Sequence, residues 1–157
     1  MSEDRVTEIL KRSKGLTNEV VGVLIETLVK EDKATTRRDA ARALGNMGKK
    51  ARGAILVLGQ LSIKDPDAEV RRYALESLQK IVAVVGIVEE LPEILPALQE
   101  MILKDPVSAL RAEAILATHK MGFASKELIE ILQKAQKDSD KIVQTHANTV
   151  LSKLKPS

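Results

Sequence analysis

The chain contains no cysteine and no tryptophan, and only one tyrosine and one phenylalanine. Without cysteine it has no disulfide, thiolate metal ligand or cysteine nucleophile, and the compartment expected from that is a reducing cytoplasm. Aromatics at 1% exclude a core built on rings, so the hydrophobic 44% must pack as aliphatic side chains. Long apolar runs are also missing: the longest uncharged one, Ile81 to Val88, falls far short of the roughly 20 residues that a spanning helix needs. Near the start, Glu3, Asp4, Arg5, Glu8, Lys11, Arg12 and Lys14 surround few apolar positions, unlike a secretory leader. No membrane association is expected. Charge of one sign is scarce too: Lys plus Arg number 25 against 22 Asp plus Glu, leaving +3. Up to Leu78 there are 15 basic and 12 acidic residues, and after it 10 of each, a weak bias for a nucleic-acid binder.

What the chain does have is a repeat. At 157 residues it fits one domain, rich enough in Leu, Ile and Val to offset the entropy of ordering. Four segments align without gaps from Asp32, Asp65, Asp105 and Asp138, at spacings of 33, 40 and 33 residues. Six residues after each stand Arg38, Arg71, Arg111 and Gln144; nine after stand Ala41, Ala74, Ala114 and Ala147; seven before stand Ile25, Leu58, Leu98 and Ile131. Apolar residues between the columns recur at helical spacing, as in Val70, Ala74, Leu78 and Ile81.

Each repeat is therefore read as two helices. Asp65-Pro66 and Asp105-Pro106 are expected helix starts, and Gly48, Gly86 and Gly122 helix stops. The expected helices run over 2–13, 18–30, 36–47, 50–63, 66–85, 90–103, 106–121, 126–136 and 139–154, with no strand.

The stretch Asp65 to Leu78, with its relatives Asp32 to Leu44 and Asp105 to Leu116, resembles the HEAT-repeat family, nearest its short bacterial and archaeal modules. The resemblance implies an all-α fold: a right-handed α-α superhelix, or α-solenoid, of four helix pairs over about 17–48, 50–85, 90–122 and 125–154, plus an N-terminal capping helix, 2–13. It also implies a ladder between neighbouring units in which Asp32, Asp65 and Asp105 bond with Arg38, Arg71 and Arg111. Gln144 departs from that pattern in the last unit, where no next neighbour is expected.

Chemistry-bearing motifs are weak. Repetition of Asp and Arg at fixed register argues for caps and ladders, since catalytic sites are seldom fourfold. His119 and His146 occupy different register positions, and neither is followed by the Glu of HEAT-type di-iron hydroxylases. Gly45 to Lys50 lacks the spacing and preceding strand of a phosphate loop, and Asp138-Ser139-Asp140 lacks the later ligands of a calcium loop. No enzymatic activity, metal or cofactor is expected.

The expected function is that of a non-enzymatic protein-interaction scaffold or adaptor. At about 100° per residue, with the buried arc centred on the alanine column, the most exposed second-helix positions are Asp39, Ala43 and Asn46; Arg72, Glu76 and Gln79; Ala112, Leu116 and His119; Thr145, Thr149 and Ser152. In HEAT-like solenoids these helices line the concave side. Asn46, Arg72, Glu76, Gln79, Leu116, His119 and Thr149 are thus the candidate contacts for a protein or peptide, with Leu116 the one bulky apolar member. A nucleic-acid accessory role is the alternative, with Arg37, Arg42, Lys49, Lys50 and Arg52 as candidate phosphate contacts. Two aromatics, Tyr73 and Phe123, are too few for base stacking. A further alternative from the resemblance is an assembly factor or lyase-like subunit, which no residue specifically supports. The protein is expected to be a monomer or a weak homodimer.

Overall fold

The computed structural model describes residues 18–86 and 89–154. The expected capping helix, 2–13, lies outside them. Among the described residues there is no strand, and the fold is all-α and HEAT-like. The helices are α1 (Glu19–Lys30), α2 (Ala34–Met47), α3 (Ile55–Lys64), α4 (Ala68–Val85), α5 (Leu91–Lys104), α6 (Ser108–Lys120), α7 (Lys126–Ala135) and α8 (Lys141–Leu154). A 3-10 segment, Gly48–Ala54, leads into α3, so the helix expected from residue 50 becomes regular only at Ile55. No described helix is long and apolar enough to cross a membrane.

The chain divides into two compact units, Met1–Ile94 and Leu95–Ser157, with the division inside α5. In the first, α1 packs on α2, α3 on α4, and the second helices α2 and α4 pack on each other. The core there is aliphatic: Ile25, Leu28, Leu44, Ile55, Leu58, Leu75, Leu78 and Ile81 are essentially inaccessible. Two bare backbones allow close approach. A Cβ on Gly45 would lie 2.6 Å from Ser77 Oγ, and Ser77 Oγ donates to the Ala41 carbonyl at 2.7 Å. A Cβ on Gly59 would lie 2.8 Å from Ile94 Cδ1, so α3 meets the start of α5 over a glycine. In the second unit α6 and α7 each pack on α8, burying Leu110, Ile115, Leu128, Leu132, Val143, Val150 and Leu151.

Ala41, Ala74, Ala114 and Ala147, expected to share one column, are all fully buried. Gly48, Gly86 and Gly122, at or just past the ends of second helices, take φ of 55°, 80° and 82°, which side chains with a Cβ rarely adopt, and no other described residue has positive φ. Relative to the other spacings, the interval of 40 residues carries a longer second helix: α4 has 18 residues, against 14 in α2 and 13 in α6. Pro96, inside α5, removes one amide from that helix's hydrogen-bond ladder.

The two helices expected to start at Asp-Pro begin two residues later than expected, at Ala68 and Ser108. Asp65, before a proline, is extended (φ −65°, ψ 133°), and the cap of α4 is Asp67, whose side chain accepts from Val70 N–H. Asp140 caps α8 in the same way, accepting from the Ile142 and Val143 amides.

Candidate functional site

The carboxylates that begin the later repeats each accept a backbone amide, and two of them also hold an arginine. Asp65 Oδ1 accepts the Asp67 amide at 2.9 Å, Asp105 Oδ1 the Val107 amide at 2.9 Å and Asp138 Oδ1 the Asp140 amide at 2.8 Å. This turn aims each carboxylate before the next helix starts. Arg37 then reaches Asp65 through a bidentate fork, Nε to Oδ2 at 2.8 Å and Nη2 to Oδ1 at 3.0 Å. Arg111 forks onto Asp138 in the same manner, with both contacts at 2.9 Å. In each couple both side chains are mostly buried, 11% and 4% exposed for Arg37 and Asp65, 13% and 12% for Arg111 and Asp138. The Asp138 carboxyl is held below the usual carboxylate range chiefly by the Arg111 hydrogen bond, against the opposing effect of its burial.

This geometry corrects the repeat in its first unit. Arg38, the expected ladder residue, turns to its neighbour Asp39, with contacts of 3.2 and 3.1 Å, and is 37% exposed. Arg37, expected to be a free phosphate contact, takes the ladder position instead.

The third nitrogen of each arginine identifies the shift. Arg37 Nη1 donates to the Glu31 and Asp32 carbonyls, as Arg71 Nη1 does to those of Asp65 and Pro66, and as Arg111 Nη1 does to that of Asp105. Gln144 Nε2 likewise donates to the Asp138 carbonyl. Glu31, not Asp32, is therefore the first acid of the column, and its Oε1 accepts the Lys33 amide at 3.4 Å. A gap-free alignment on identical residues chose Asp32 because a glutamate precedes it where the other units have aspartate. Asp32 itself is exposed, and its carbonyl accepts from Arg37 Nη1.

The same shift revises the exposed face. In the corrected register Arg38 and Arg42 of α2 stand level with Arg72 and Glu76 of α4. Arg72 lies between two acids, donating to Glu69 at 2.7 and 3.2 Å with Glu76 at 4.0 Å, and its guanidinium carbon sits 4.5 Å from the centre of the Tyr73 ring. The Glu69 carboxyl is drawn below its ordinary value by that bond, and the Arg72 guanidinium is raised. Gln79 is half-buried and donates to the Leu75 carbonyl, while Asn46 is exposed near the end of α2.

In the second unit Ala112, expected on the surface, is only 3% exposed; its carbonyl lies 3.4 Å from His146 Nδ1. Leu116 and His119 are half-buried, and Thr149 is exposed with its hydroxyl turned back to the Thr145 carbonyl. Lys49 and Lys50 are exposed, whereas Arg52 lies 3.7 Å from Glu90. Tyr73 enters the sequence reading only as one of two scattered aromatics; its position directly after Arg72 is the signal that points to it.

Helix pairs joined through turn-borne acids and forked arginines define a class, the tandem α-helical repeat proteins. The chain belongs to the HEAT-repeat family: the family model described as HEAT repeats matches residues 21–119. No curated protein matches the chain. HEAT repeats commonly mediate protein–protein interactions, and the family is generally one of non-enzymatic scaffolds.

Proposed function

We propose that the chain is a protein-interaction module that receives its partner on the exposed face of α2 and α4. The observation that carries this reading is the Arg72–Tyr73 pair. A guanidinium fixed by Glu69 and stacked on a ring presents two of the residue types that dominate binding energy, with little rotamer freedom left to lose. Glu69 and Glu76 flank it on α4, and α2, packed against α4, carries Arg38, Asp39 and Arg42 as a second mixed-charge cluster, which favours a partner of mixed charge. The repeat acids, meanwhile, are engaged in joining helices, and that supports a scaffold over a catalyst.

Affinity capture and quantitative binding with the recovered partner test this. Tyr73→Ala and Arg72→Glu are expected to weaken binding by about thirtyfold or more, the scale of a hot spot. Glu130→Lys on α7 is expected to leave it unchanged. Equal binding by all three variants overturns the reading. Binding to generic duplex DNA that falls steeply with salt and disappears in Lys49→Ala/Lys50→Ala would replace it with the phosphate-contact alternative.

A further inference from the structure

Among the described residues six large apolar side chains are exposed, and three of them stand on or beside the turns that lead into α6 and α8. These are Leu103, Val107 and Ile142, at 37%, 36% and 61% exposure. The corresponding turns of the first unit, 30–36 and 64–70, carry none. The two turns of the second unit are tied together: Arg111 of α6 forks onto Asp138, and Ser108, the first residue of α6, lies beside the Asp140 carboxylate. Val107 occupies the register position of Asp67 and Asp140, whose side chains cap α4 and α8, yet α6 has no side-chain cap. A cap has been given up there for an exposed apolar side chain, and departures of that kind from local rules gather at functional surfaces.

The free charge around this strip is of one sign. Lys104, Lys137 and Lys141 are exposed, and none pairs with a carboxylate among the described residues. The nearby acids are turned to the backbone: Asp105 accepts the Val107 amide, Asp138 the Asp140 amide as well as Arg111, and Asp140 the Ile142 and Val143 amides. The N-terminal ends of α6 and α8 add partial positive charge at the same edge. We propose that this edge is a second docking surface, separate from the face of α2 and α4, and that it receives a peptide segment in which an apolar side chain is flanked by carboxylates. The apolar anchor covers Val107 and Ile142, and the carboxylates meet the lysines. Phosphates alone would leave the apolar strip in water, and three partly exposed side chains offer little to insert into a bilayer.

Selection from a library of random short peptides displayed on phage, followed by titration of the winning peptide into the full-length protein, tests the proposal. Winners are expected to carry an apolar residue between acids. Ile142→Asp and Lys104→Glu/Lys141→Glu are expected to weaken the winner's binding by about tenfold or more, and Lys120→Glu, at the far end of α6, to leave it unchanged. Val107→Asp is expected to weaken it equally while holding or raising the melting temperature, because an aspartate there restores the cap; unfolding then cannot explain the loss. A selection that enriches no peptide, winners without acids, or winners indifferent to these substitutions overturn the proposal. So does sedimentation with phosphatidylserine vesicles, or self-association, that Ile142→Asp abolishes, since the occupant would then be a membrane or a second copy.

Discussion

Arg37 and Arg38 are adjacent, identical and chemically interchangeable on paper, yet one is locked onto Asp65 and the other lies against a neighbouring surface acid. Removing Arg37 strands a carboxylate that is 4% exposed, and leaving a buried charge unpartnered costs about 3–5 kcal/mol. Arg37→Ala is therefore expected to lower unfolding free energy by that amount in urea titrations, and Arg38→Ala by no more than about 0.5 kcal/mol. The reverse order would restore the gap-free register. A pH dependence belongs to the same scale. Asp138 has a lowered pKa in the folded chain, so its stabilisation is fully present above the unfolded carboxyl value, near ~3.9, and is lost as pH falls through the lower folded value. Asp138→Asn is expected to be less stable than the parent at pH 7 and to lose less further stability on acidification, as thermal melts across that range would show.

At the scale of the element, the second helices are legible because several signals agree. Apolar spacing, the alanine column and a terminal glycine mark their bodies and ends in α2, α4 and α6. Their starts are less legible, since Asp-Pro invites a cap at the aspartate, whereas the extended residue before proline postpones the helix to Ala68 or Ser108. The 3-10 course of Gly48–Ala54 has no periodic signature of its own: Ala51, Gly53 and Ala54 are buried by packing, which residue spacing does not encode. The exposed face was legible where charge marked it, at Arg72 and Glu76, and illegible at Ala112, a small residue that fits either side of a helix. Close approach between α2 and α4 gives a sharper prediction. Gly45→Ala would force a methyl to within 2.9 Å of the Ser77 backbone, which must shift, at a cost of about 1–3 kcal/mol. A Gly45→Ala variant as stable as the parent in chemical denaturation would refute that contact.

For the whole molecule, stability in a repeat array is approximately a sum of unit and nearest-neighbour contributions. The Arg37–Asp65 and Arg111–Asp138 couples share no partner and lie in different compact units. Arg37→Ala and Arg111→Ala are therefore expected to add within about 0.5 kcal/mol when combined, as a double-mutant cycle would show. Each acid accepts the amide that opens its own second helix and, through the same carboxylate, the arginine of the pair before it. A gene segment one repeat long, cut at any phase and duplicated in tandem, would then carry both halves of a compatible joint. Such a chain could lengthen by copying, without first evolving a new way to attach the added piece.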